Sequence, residues 1–292
     1  MNRHHSADGS RCADAPFQPP PHQTARALPP SCAIFVHMNP RDYPILEFDP
    51  ARVAVIEPSE QIKRCDVPEH CVVCFFREVI EELVADGRAR EIACMKSEMG
   101  RHPVYEIEVD GRPLAVFLPG ITSAFAGAML EETIAFGCRK FIACGSAGVL
   151  NRDITFGHAV IPESAVRDEG LSYHYAPPSR DVAAHPEGIR ALREACDKHD
   201  LPYLIGKTWT TDGFYRETPK KIEQRRSEGC LTVEMEAAGF FAVAQFRGVV
   251  FAQILYGADD VSGDAWDVRG WHSRESVRAR LFWLAAEACL SL

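Results

Sequence analysis

Apolar positions along this chain follow two periods, and the switches between them predict its elements. Val53-Ala54-Val55-Ile56, Phe141-Ile142-Ala143-Cys144 and the stretches 231–233 and 249–255 are short and continuously apolar, as strands buried on both faces are. Phe76, Val79, Ile80 and Leu83 recur at helical spacing over 75–85, and Gly87 closes that element. Helices are also expected over 124–136, 186–199, 237–246 and 273–290, and 158–166 reads as extended. The stretches 104–109 and 114–118 flank Asp110-Gly111, a dipeptide suited to a hairpin turn. Strands that alternate with helices predict an α/β domain, and the hairpin makes its sheet mixed rather than purely parallel. The expected fold is a three-layer sandwich, a mixed central sheet flanked by helices.

The first 33 residues break this pattern. Six of the chain's 20 prolines fall within the first 30, among Ser, Gln, Ala and the histidines His4, His5 and His22. Such a stretch buries too little apolar surface to offset its ordering entropy, so 1–33 is expected to be a disordered tail and 34–292 a single domain.

Composition narrows the function. Of 292 residues, 32 are Lys or Arg and 41 are Asp or Glu, a net charge of −9, which argues against a nucleic-acid polymer or an anionic membrane as partner. No apolar run approaches the ~20 residues of a membrane span, and the N-terminus lacks the apolar core of a secretory signal. Eleven scattered cysteines then read as reduced thiols, and a cytoplasmic location is expected. Cys71-Val72-Val73-Cys74 lacks a second pair at zinc spacing, so no metal is called.

Ligands of open α/β sheets sit beyond the carboxyl ends of the strands. Four candidate loops follow predicted strands. Gly120-Ile121-Thr122-Ser123 and Gly145-Ser146-Ala147-Gly148 are small enough for backbone N–H groups to approach a ligand. Val233-Glu234-Met235-Glu236-Ala237 places two carboxylates at a strand-to-helix junction, where vicinal hydroxyls would satisfy them or where they would simply favour a helix start. Tyr256-Gly257-Ala258-Asp259-Asp260 places an acid after the most apolar strand, either as a solvated loop or as a general acid.

Taken in order with Thr211-Asp212-Gly213-Phe214-Tyr215, these motifs resemble the purine nucleoside and uridine phosphorylase family, which includes the methylthioadenosine-type nucleosidases. The likeness runs over about residues 50–270, and Val-Glu-Met-Glu-Ala is its most specific piece. The resemblance implies cleavage of a nucleoside N-glycosidic bond in a homo-oligomer whose neighbouring subunits complete each site. It implies no organic or metal cofactor, with inorganic phosphate as co-substrate of the phosphorylases. Matched by position, Glu236 would hold the ribose hydroxyls beside Glu234 while Met235 packs on the sugar. Phe214 would lie against the base, and Asp259 would protonate or hydrogen-bond a purine leaving group. Gly120, Thr122, Gly145 and Ser146 would line the sugar and anion side, and Arg101 stands near where a neighbour donates an arginine. His37 lies near a family histidine that reaches a neighbour's sugar.

Departures from the family divide the expectation. With the first strand placed at 53–56, the Gly-Asp-Pro loop and following arginine of the phosphorylases are replaced by Glu57-Pro58-Ser59-Glu60. Ala143-Cys144 stands where an arginine precedes the second glycine loop, as in the nucleosidases, whose first-loop glutamate activates water; Glu57 or Glu60 would fill that role. Arg167-Asp168-Glu169-Gly170 looks instead like the uridine phosphorylase branch. Phosphorolysis is the first expectation, hydrolysis the second, and a nucleoside-binding protein without turnover the third.

Overall fold

The computed structural model describes residues 40–154, 156–270 and 275–292. The tail expected over 1–33, its histidines and His37 lie outside the described residues.

One sheet organises the fold, and its hub is β5 (Lys140–Val149). Along its first half β5 is parallel to β1 (His70–Cys74) on one side and to β10 (Val250–Asp260) on the other. Beyond β1 the sheet continues through β4 (Arg112–Phe117), β3 (Gly100–Val109) and β2 (Ala89–Ser97), with β2–β3 and β3–β4 antiparallel. Beyond β10 it passes to β6 (Ala159–Asp168), β8 (Tyr203–Thr211) and β9 (Cys230–Glu234), which returns to pair antiparallel with Gly148 and Val149 of β5. This half is therefore a closed ring of five strands, with β7 (Asp181–Ala183) added to β6. β1 leaves β5 at Cys144 and β9 joins at Gly148, so on that edge residues 145–147 lie where two strands part.

The layers follow from burial. α2 (Arg77–Ala85), α5 (Pro186–Lys198) and α8 (Glu275–Leu290) cover one face through Ile80, Leu192 and Phe282. α3 (Ser123–Phe136) and α7 (Ala237–Arg247) cover the other through Met129, Leu130, Phe240 and Phe241. The observed architecture is the expected three-layer α/β sandwich. Pro186 and Pro219 open α5 and α6 (Pro219–Ser227), where a missing N–H costs nothing. Cys71 and Cys74 face opposite layers of β1, so their thiols cannot chelate one ion together, and burial pushes the Cys71 thiol up.

One strand expectation is corrected. Residues 53–56 form no strand; Val53 is 70% exposed and Val55 fully exposed, because β1 takes the central position beside β5. The true first strand ends at Cys74 and leads through Phe75-Phe76 into Arg77, at the start of α2. Glu57 and Glu60, on the short helix α1 (Pro58–Gln61) and its cap, therefore do not form a loop after the first strand. Gly145-Ser146-Ala147-Gly148 is likewise strand rather than loop, continuous with β5.

Glu57 has a structural partner. Arg247, at the end of α7, donates to Glu57 Oε1 at 2.8 Å and to Glu131 Oε2 at 2.7 Å, and both carboxylates are nearly buried. Arg247→Met leaves two buried charges without a cation and should cost about 3–5 kcal/mol in urea unfolding. A loss below ~1 kcal/mol would show that the triad holds nothing.

Candidate active site

The Val233–Ala237 motif crosses from β9 into α7. Glu234 is the last residue of the strand, and Glu236 is the N-cap of the helix. Glu234 Oε1 accepts from Thr210 Oγ1 at 2.6 Å, and Oε2 accepts from the backbone N–H groups of Glu236 and Ala237 at 2.8 and 2.7 Å. Thr210 Oγ1 in turn accepts from Ala238 N–H at 2.9 Å. Glu234 thus binds β8, β9 and the first turn of α7 together, and three of its roughly four acceptor positions are taken by protein.

Glu236 is buried but differently held. Thr122 N–H donates to its Oε1 at 2.7 Å, and Ser123 Oγ donates to Met235 O at 2.9 Å, joining the head of α3 to the head of α7. Burial, then the Glu234 charge, pushes the Glu236 carboxyl up, while the backbone N–H of Thr122 pulls the other way. Burial also raises Glu234. Three donors on Glu234 favour its charged form more than the Thr122 N–H favours that of Glu236, and the two buried neighbours titrate as a pair. Thr122 has φ +81°, a left-handed conformation that a β-branched residue adopts only when neighbours impose it, at about 1–3 kcal/mol. Gly120, also at positive φ, faces the Phe125 ring so closely that a Cβ would stand 2.4 Å from Cδ1.

Gly145 and Ser146 lie on β5 where its neighbours part, with Ser146 opposite Tyr256 of β10. The Phe75 ring lies against Gly145, 3.2 Å from where a Cβ would be. A Cβ on Gly148 would meet Val233 Cγ1 at 3.0 Å and both Asp259 carboxylate oxygens at 3.6 Å, so Gly148 lets the acid approach β9. Trp266 Nε1 donates to Asp259 Oδ2 at 2.7 Å. Phe214 begins a single 3-10 turn, is half exposed and packs on Tyr215 at 4.0 Å between ring centroids.

The structure thus joins Thr122, Glu234, Met235 and Glu236 directly, and sets Asp259 beside Gly148. Arg101 is elsewhere: it lies on the β2–β3 hairpin, exposed, with its guanidinium on Glu91 at 2.6 Å. Asp260 is structural, paired with Arg269 at 2.6 Å; its carboxyl is held low by Ser262 and Arg269 against the upward pull of burial. Arg167 is spent on Ser172, Ser179 and the Ala176 and Pro177 carbonyls, and Asp168 accepts from Trp209, Lys221 and Arg225. Arg167 therefore laces the stretch around the short helix α4 (Ser172–Tyr175), and Asp168 ties the end of β6 to β8 and α6.

Sequence reasoning missed Glu217 and Trp266. Glu217 follows the Phe214 turn, and its carboxyl is pushed up to about 7 by burial and then by the Asp259 charge, which sets the two acids close together. Thr-Asp-Gly-Phe-Tyr just before it was the one available signal.

These features define a class: an α/β protein with a part-closed mixed sheet and acidic residues at the carboxyl ends of β9 and β10, beside the Gly145–Gly148 stretch of β5. The pattern of the Phosphorylase superfamily matches residues 69–285, and the chain belongs to that family. It is 26% identical to a guanosine phosphorylase of Halorubrum lacusprofundi over 57% of this chain and 77% of that protein. It is 30% identical to a uridine phosphorylase of Thermococcus kodakarensis over 55% of this chain and 61% of the relative, so less than two thirds of that protein is spanned. Among solved structures, the fold is similar to a purine nucleoside phosphorylase from Toxoplasma gondii, with TM-score 0.67 and 22% identity over 77% of this chain and 92% of that one. It is also similar to an AMP nucleosidase from Bacteroides thetaiotaomicron, with TM-score 0.63 and 18% identity over 77% and 89%.

The Glu217 shift makes a stability prediction. A carboxyl raised from 4.5 to about 7 favours the fold while protonated; that contribution is complete below its unfolded value and lost as pH rises through about 7. Glu217→Gln, neutral throughout, should gain melting temperature relative to the parent by a few degrees between about pH 5 and 8. A difference that stays constant with pH would contradict the placement of this acid.

Proposed function

We propose that this chain cleaves the N-glycosidic bond of a nucleoside and releases the free base, acting in the cytoplasm as a homo-oligomer. The observation that carries this reading is Glu236, a buried carboxyl fixed by the strained Thr122 backbone at the head of α7, with Asp259 across Gly148 from β9. Glycosidic cleavage builds positive charge on the sugar and negative charge on the departing base. A carboxyl on the ribose hydroxyls answers the first, and an acid beside the base answers the second.

In this reading Glu236 binds the ribose hydroxyls and, with its proton released to solvent, presents a carboxylate as the sugar becomes cationic. Met235 packs on the ribose, Phe214 on the base, and Asp259 donates to a base nitrogen. Glu234 takes a different part from the one expected: it aligns Glu236 without touching substrate. Gly120, Gly145 and Ser146 offer backbone and hydroxyl to the nucleophile, and Arg101 serves the site of a neighbouring copy.

Phosphate is the nucleophile we put first. With the first strand at β1, the family's arginine after that strand has a counterpart in Arg77, largely exposed and only 3.7 Å from Glu81. A second reading, hydrolysis, is favoured by Phe75-Phe76, which stand where the phosphorylases have Gly-Asp-Pro, with the Phe75 ring on Gly145. An apolar ring there gives no contact to a dianion. Base release from guanosine, uridine and adenosine in buffers with and without phosphate separates the readings. Phosphorolysis predicts at least a tenfold faster release with phosphate; equal rates establish hydrolysis, and binding without release under either condition reduces the protein to a nucleoside binder.

A further inference from the structure

Trp266 is a large aromatic side chain left 62% exposed, yet its one polar atom is committed to Asp259. Its placement does not rest on a loose loop. After β10 the chain folds back so that Asp260 and Asp267 exchange backbone hydrogen bonds, Asp260 N–H to Asp267 O at 2.8 Å and Asp267 N–H to Asp260 O at 3.0 Å. Arg269 pins the return by donating to Asp260 Oδ2 at 2.6 Å and to Ile154 O at 2.8 Å, and Val261 N–H donates to Val149 O of β5. The residues flanking Trp266 and Asp259 are thus the paired ones, and the strap sets the indole over the carboxylate.

The geometry points to Trp266 as a positioning residue for the leaving-group acid: its indole N–H holds Asp259 Oδ2 as acceptor, so that in the protonated acid Oδ1 carries the proton that passes to a base nitrogen as the C1′–N bond breaks. This rests on the glycosidic reading above and assigns a residue that the family motifs do not include. A carboxyl group turns in a broad torsional well, so a single directional donor removes one freedom that transfer to a base nitrogen would otherwise have to overcome. The indole contributes through that N–H, and its exposed face is the outer wall that an aromatic base would meet.

Trp266→Phe keeps the ring and removes the donor. Measured with guanosine and uridine at saturating phosphate, it should lower kcat about tenfold, as loss of one directional hydrogen bond does, with KM within about twofold. In an Asp259→Asn background the same change should cost nothing further, because the group it positions is gone. A tenfold loss in both backgrounds overturns the assignment, as does an unchanged kcat in the single variant. As a check that does not depend on turnover, the Trp266 indole N–H resonance, identified by its loss in Trp266→Phe, should move in Asp259→Asn; an unmoved resonance overturns the contact itself. Absence of base release by the parent enzyme, with or without phosphate, would instead sink the glycosidic reading.

Discussion

The burial of the Glu234 carboxylate is the constraint on which the site depends. An ionised carboxyl in the sheet interior is tolerable only with its oxygens satisfied, and three donors from two elements supply that: Thr210 of β8 and the first two amides of α7. Those amides are the free N–H groups of a helix start, so one acid both caps α7 and fixes it to the sheet. Glu236 is then placed at the cap, where Thr122 must adopt a left-handed backbone to reach it. The strain at Thr122 is stored because α3, α7 and β9 leave it no alternative.

The sheet makes room for this arrangement by closing on itself. β5 exchanges β1 for β9 along one edge, and the small residues Gly145, Ser146 and Gly148 occupy the exchange. Around them, among the described residues, stand acids that form no ion pair. Glu217 lies near Asp259 and Glu236 is buried at the head of α7, whereas Arg167, Arg225, Arg247 and Arg269 are committed to loops and anchors. The net charge of −9 thus has a local expression, suited to a sugar that becomes cationic and demanding of any phosphate a cation brought from elsewhere.

Where period and burial agreed, the sequence was readable. α2, α3, α5 and α7 fall within two residues of expectation, with Gly87, Gly137 and Gly248 closing α2, α3 and α7, and the β3–β4 turn falls at Asp110-Gly111 as expected although β3 begins four residues before 104. β8 escaped because three of its four buried residues are threonines, with Thr208 and Thr210 bonded to Thr232 and Glu234, and Trp209 is its one apolar anchor. The first strand was misplaced because Val53-Ala54-Val55-Ile56 is more apolar than it is paired, and that error turned Glu57 from a salt-bridge anchor into a nucleophile-activating candidate. The Val-Glu-Met-Glu motif located the site, but which glutamate holds the fold and which serves the site depends on hydrogen bonds from distant strands. Trp266 and Glu217 carry no local pattern; a folded-back strap and a turn bring them to Asp259.

The division of labour between the two glutamates is the central claim, and steady-state kinetics of Glu236→Gln beside its melting curve tests it most directly. The account predicts kcat/KM for base release down by at least about a hundredfold with the melting temperature unchanged or raised, since an amide replaces a carboxyl whose charged form burial disfavours. Activity retained within a few-fold, or lost only together with the fold, would contradict it.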